Sequence, residues 1–150
     1  MQSNRCASGT PGSPAHAQTV EWIQQHLQLF GWQTELQTEE IAVTKIQNIV
    51  AKNSNSEYPL IIIAAHYDSR FFADQDNDPL LSQQPVLGAN DGASGIAVLL
   101  ELARVLPKDI NKNIWLVFFD AEDQGRIDNW DWILGSRSFV NQLYEIPQAV

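Results

Sequence analysis

Three stretches of this 150-residue chain hold residue types that do chemistry. VFFDAEDQG, residues 117–125, leaves an apolar run and places Asp120, Glu122 and Asp123 within four positions. Like charges held a few ångströms apart repel and raise one another's pKa unless a cation or a shared proton relieves them. An isolated D-x-E-D is best read as a solvated acidic turn. The second stretch, IIIAAHYD at 61–68, ends in His66 and Asp68, and the third, LGAND at 87–91, ends in Asp91. Taken singly these are bland: a buried, satisfied histidine and a helix N-cap. Together, at matching strand ends, they favour a metal site. Imidazole nitrogen and carboxylate oxygen are what zinc takes when cysteine is absent. Asp68, two residues beyond His66 on the same face, is placed to orient a coordinating imidazole.

In open α/β sheets, ligands bind outside the carboxyl ends of the strands, so the surrounding elements decide whether these stretches meet. PLIIIAA is short, continuous and β-branched, the pattern of a strand buried on both faces, and NIWLVFF at 113–119 is a second. Between them, DGASGIAVLLELARVLP reads as a helix ended by Pro107, with Ile96, Leu99, Leu100 and Ala103 on its inner face. Upstream, Ser13-Pro14 opens a helix in which Val20, Ile23, Leu27 and Phe30 recur at three- and four-residue steps, and Gly31 stops it. Two strand-like stretches follow, at roughly 33–38 and 45–51. Residues 69–89 form a polar loop of a length that usually means function or disorder, and a short helix is expected near 136–143. Strands alternating with helices predict an α/β fold with a largely parallel sheet, in one domain over residues 1–150.

Composition narrows the function. Hydrophobic residues at 44% and charged residues at 18% are ordinary for a globular protein. A net charge of −9 leaves no basic face to meet phosphates, so neither nucleic acid nor an anionic membrane is expected as a partner. The single cysteine, Cys6, excludes an internal disulfide and a cysteine-based zinc cluster, and reads as a bystander in a polar tail. No 18-residue apolar run occurs, and the start MQSNRCASGT has no signal-peptide core; the compartment stays open. Three further motifs fail. Asp74 to Asp78 opens like a calcium loop, but Pro79 stands where glycine is needed. GASG around Ser94 lacks the spacing of a nucleophile elbow, and His16 and His26 need only helix-surface or core roles.

HYDSRFFADQDNDP, LGANDGASGIAVLLELARVL and FFDAEDQG with WILGSR after it resemble the zinc aminopeptidase family and its glutaminyl-cyclase branch, especially the bacterial type. The similarity runs in order from GTPGSPAH to the end. The resemblance implies a three-layer α/β/α sandwich with a mixed, mostly parallel sheet, the phosphorylase/hydrolase-like zinc exopeptidase fold. It implies zinc ligation by Asp91 and Asp123, and by His66 in two-metal members but not in single-zinc cyclases. Glu122 would be the general acid/base; the resemblance gives Asp120 no such role, and it is read as structural, bonded to nearby loop amides. A cis peptide is implied at Asp91-Gly92. Trp130 or Trp132 would wall a substrate pocket, and peptide or protein N-termini would be the substrates. One zinc belongs to the cyclase reading and two to the aminopeptidase reading.

The same resemblance makes residues 1–150 the N-terminal part of a catalytic domain whose remaining ligands follow Val150, and no histidine follows His66 here. The leading expectation is a glutaminyl-peptide cyclotransferase. Alternatives are a zinc aminopeptidase and a non-catalytic domain that at most binds metal weakly. A secreted or periplasmic location is implied by resemblance alone. Uncovered strand edges and apolar faces are expected to promote self-association.

Overall fold

The computed structural model describes residues 9–41, 43–53, 57–107 and 109–145. Cys6 and the stretch from Pro147 onward lie outside these residues. Helix α1 spans Pro14–Leu29. Its start is fixed by the Ser13 side chain, which accepts from the His16 amide at 3.0 Å, and by proline in the first turn. Its end is fixed by Gly31 at φ +82°, which lets the Trp32 amide reach back to the Leu27 carbonyl.

Strands β1 (Gln33–Ile41) and β2 (Thr44–Lys52) form an antiparallel hairpin in register from Gln33↔Lys52 to Ile41↔Thr44. Strand β3 (Leu60–His66), helix α2 (Ala93–Val105), strand β4 (Asn113–Phe119) and helix α3 (Leu134–Glu145) complete the order. The sheet runs β1-β2-β4-β3, with β4 antiparallel to β2 and parallel to β3. The α/β class and the mixed sheet are as expected. The largely parallel sheet is not what the described strands form, because a tight hairpin forces β1 and β2 antiparallel and β4 enters opposite to β2.

Alternation along the two central strands makes three layers. Ile49 and Ala51 of β2 and Ile114, Leu116 and Phe118 of β4 face Val20, Ile23 and Leu27 of α1 and Ile96, Leu99 and Ala103 of α2. The intervening Val50 and Val117 face Phe139 and Leu143 of α3 on the other side. Full burial of a side chain such as Leu27 or Leu116 contributes about 1.5–3 kcal/mol. These two clusters hold the sheet between its helices.

Strand β3 departs from the expectation of burial on both faces. Among the described strands it pairs only with β4, and Leu60, Ile61 and Ile62 are 39%, 41% and 40% exposed. Only Ile63 and Ala65 turn into the main core. Its register still serves the site: His66 lies opposite Phe119, so both strands end at one edge of the sheet. No helix among the described residues is long and apolar enough to cross a membrane.

Candidate functional site

The register of β3 on β4 brings the residues after each strand together. Tyr67 continues the ladder by donating its amide to the Phe119 carbonyl, and its hydroxyl donates to the Gln47 carbonyl at 2.7 Å. Burial, with Asp120 nearby, pushes that phenol well above its ordinary pKa.

Asp68 is the hub. Fully buried, it accepts from the Glu122 amide at 3.1 Å, the Asp123 amide at 3.2 Å and the Gln124 side chain at 2.9 Å. It also lies 3.3 Å from His66 Nδ1. Burial alone would raise its pKa, but the hydrogen bonds from His66, Gln124 and the two amides outweigh it and hold Asp68 ionised below the usual range. The same carboxylate therefore orients the imidazole and fixes the turn that carries Glu122 and Asp123.

His66 points its other nitrogen, Nε2, at Asp91 Oδ1, 3.1 Å away. The Asp68 hydrogen bond lifts its pKa to about 9 against burial, with help from the Asp68 and Asp91 charges. Asp91 does not cap α2. Gly92 holds the cap position with no side-chain bond, and the Asp91 side chain is 68% exposed. The Asp91-Gly92 peptide is trans, as are all the described bonds, which corrects the expected cis bond. The chain reverses there through Gly92 at φ +85°, a conformation open to glycine. A side chain at Gly92 would also meet the Asp68 carbonyl at 2.9 Å.

The three crowded carboxylates separate by environment. Asp120 is fully buried and accepts from His16 Nε2, the Gln47 amide and the Ala121 amide, each at 2.8 Å. Glu122 accepts from the Ser136 amide at 2.7 Å and its hydroxyl at 3.0 Å. Burial raises its pKa and the Ser136 bonds resist the rise. Asp123 is likewise raised by burial, opposed by Arg70, and it lies close enough to feel the charges of Asp91, Asp68 and His66.

Trp130 packs with Ile46, Ala121 and Phe71 in a third core cluster, and its edge lines a cleft with Phe71, Phe72 and Thr44 rather than the His66–Asp91 pair. Trp132 is 38% exposed and lies over the Arg70 guanidinium. Three residues that positional reasoning passed over hold the site: Gln124, Arg70 and Ser136. Gln124 is fully buried and links Asp68, the Ser69 carbonyl and the Phe71 amide. Only the four-residue spacing of Arg70 from Asp74 hints at a pairing.

The donor types suit a divalent cation such as zinc: an imidazole nitrogen backed by a buried carboxylate, beside two further carboxylates. His66 and Asp91 already converge. Among the described residues, however, no three His, Cys, Asp or Glu side chains form a ready metal cage, so the set is a partial one.

The chain is 31% identical over 156 residues to a glutaminyl-peptide cyclotransferase of Gloydius blomhoffii, covering 93% of this chain and 41% of that one. The crystal structure of Porphyromonas gingivalis glutaminyl cyclase superposes with a TM-score of 0.82 at 35% identity, covering 88% of this chain and 49% of that one. A Zn-dependent exopeptidase from Parabacteroides distasonis superposes at 0.77 with 30% identity, covering 95% and 51%. The chain thus spans about half the length of the proteins it matches. The model of peptidase family M28 matches residues 48–149, a span that contains His66, Asp68, Asp91, Glu122 and Asp123, and the chain belongs to that family.

Proposed function

We propose that this chain provides part of the active site of a zinc-dependent glutaminyl-peptide cyclotransferase, which closes an N-terminal glutamine to pyroglutamate and releases ammonia. The observation that carries the reading is the convergence of His66 Nε2 and Asp91 at 3.1 Å beside a turn bearing Glu122, whose carboxylate is held in place by Ser136. Likeness to glutaminyl cyclases supports the substrate class.

Asp91 and Asp123 would hold the metal. When bound, zinc supplies Lewis-acid polarisation of the substrate γ-carboxamide. Glu122 moves the proton. The substrate α-amine would form its bond to the carboxamide carbon, Cδ, as the bond from that carbon to the amide nitrogen breaks; Glu122 accepts the proton that the attacking nitrogen gives up, and the same carboxyl delivers it to the departing ammonia. Burial raises the Glu122 pKa, the direction a proton-shuttling carboxylate needs near neutral pH. Ser136 keeps it from turning away. Asp68, Gln124 and the amides of Glu122 and Asp123 form one hydrogen-bonded unit, so acid/base and ligand move together or not at all.

A second reading, a two-zinc aminopeptidase, is favoured by one observation: His66 Nε2 already faces Asp91, as a ligand to a second ion would. The number of ions and a secreted or periplasmic location belong to these proposals. The protein at its natural length, offered glutaminyl and leucyl peptides, decides between them. Pyroglutamyl product with ammonia, abolished in Glu122→Gln, is expected. Free leucine with glutaminyl peptides left uncyclised would give the site to the peptidase, and His66→Ala should then cripple the enzyme rather than perturb it.

A further inference from the structure

We propose that Arg70 is a positioning residue: it grips the main chain of the acidic turn and thereby sets where the Asp123 carboxylate stands. The inference rests on the metal-centre reading above. Arg70 is 8% exposed, and its donors are spent on two loops. Nε and Nη2 donate to the two Asp74 oxygens at 2.6 and 2.8 Å. Nη1 donates to the Asp123 carbonyl at 2.7 Å, and Nη2 also reaches the Gly125 carbonyl at 3.1 Å.

The guanidinium lies over Trp132, 4.7 Å from the ring centroid, and the same ring packs on Gly125, where any side chain would collide with it. One planar group thus ties the loop after β3 to both ends of the segment 123–125. Its bonds go to carbonyls, leaving the Asp123 side chain free for another task. Nη1 is 3.8 Å from Asp123 Oδ1, too far for a hydrogen bond but near enough to act through charge. The carboxylate itself stays 26% exposed.

Asp68 holds this turn from the inside, through the Glu122 and Asp123 amides. Arg70 holds it from the outside, through the Asp123 and Gly125 carbonyls. Two opposed grips fix both the place and the tilt of the peptide planes between them. Lysine would keep the charge, but a single ammonium cannot span Asp74 and two carbonyls in one plane.

The test compares Arg70→Lys, Asp74→Asn and, as a control, Arg137→Lys in the protein at its natural length. Arg137 is an exposed arginine whose guanidinium pairs with Asp131 at 3.3 Å. Zinc affinity is read by competition with a chelating dye, and amide hydrogen exchange of the metal-free protein is read segment by segment. Arg70→Lys should weaken zinc binding by about 10–100-fold, the usual effect of removing a group that orients a ligand. Asp74→Asn should act in the same direction but less, and Arg137→Lys not at all.

Exchange should quicken in residues 120–126 while α1 and β2 stay protected. Zinc affinity unchanged in both Arg70→Lys and Asp74→Asn would overturn the proposal. So would exchange that rises equally everywhere, since that marks a general loss of stability. If the unaltered protein binds no zinc, the metal-centre reading falls, and exchange still decides: local loosening of the turn supports the grip, and an unchanged turn refutes it.

Discussion

Asp120 is closed off from solvent with three hydrogen bonds to its carboxylate, whereas Asp123, three residues on, keeps 26% of its side chain exposed. Identical groups in one turn are thus set to different work by burial and partners. Asp120→Ala strands the Gln47 amide and the His16 ring in the interior and should destabilise the fold by about 2–4 kcal/mol in urea unfolding. Asp123→Ala should leave stability within about 0.5 kcal/mol and lose zinc instead. Equal stability losses in the two variants would contradict this division. The sequence makes the crowding of carboxylates visible, and the two-residue spacing of His66 and Asp68 suggests their pairing. Arg70 and Gln124 escape such reading because they act on main-chain atoms across loops, and Ser136 because it meets the Glu122 carboxylate from 14 residues away; no periodicity records which partner each will find.

Helix α3 reaches the site through its first turn, where the buried Gly135 lets it dock on the end of β4. Asn48 of β2 bridges the two, donating to the Gly135 carbonyl at 2.8 Å and accepting from the Asp120 amide at 3.1 Å. A Cβ at Gly135 would run into the Asp120 carbonyl and come within 2.6 Å of Asn48 Oδ1. Gly135→Ala should therefore lower stability by about 1–3 kcal/mol. It should also reduce turnover, because Ser136, the holder of Glu122, moves with the helix. A variant that melts and turns over like the unaltered protein would show that α3 docks elsewhere. The helices are legible from cap residues and three-to-four spacing: α1 begins and ends where Ser13-Pro14 and Gly31 place it. Strand β1 runs to Ile41 rather than stopping near 38, because its last residues are exposed and held by pairing with β2, which leaves no apolar signature. The isoleucine run of β3 announces a strand but not its neighbours, so its exposed edge is invisible in the sequence.

At the scale of the molecule, that edge and the site belong to the same strand. Among the described residues, β3 offers one unpaired edge and three part-exposed aliphatic side chains, Leu60, Ile61 and Ile62. Such an edge is a template for pairing unless something covers it. The 150-residue chain should associate with rising concentration in sedimentation, and Ile62→Lys should diminish the association; a clean monomer at high concentration would mean that the edge is shielded. His66 at the end of the same strand meets Asp91 from the start of α2 and lies near Asp123 from the end of β4, so three segments far apart in sequence converge through one parallel pairing. Whether that convergence is a metal centre is answered most directly by anomalous diffraction at the zinc edge, from crystals of the natural-length protein grown with zinc. The expected result is a dominant peak within bonding distance of the Asp91 and Asp123 carboxylates, with a second one touching His66 if the peptidase reading holds. Zinc bound elsewhere, with no density between the Asp91 and Asp123 carboxylates, would contradict it.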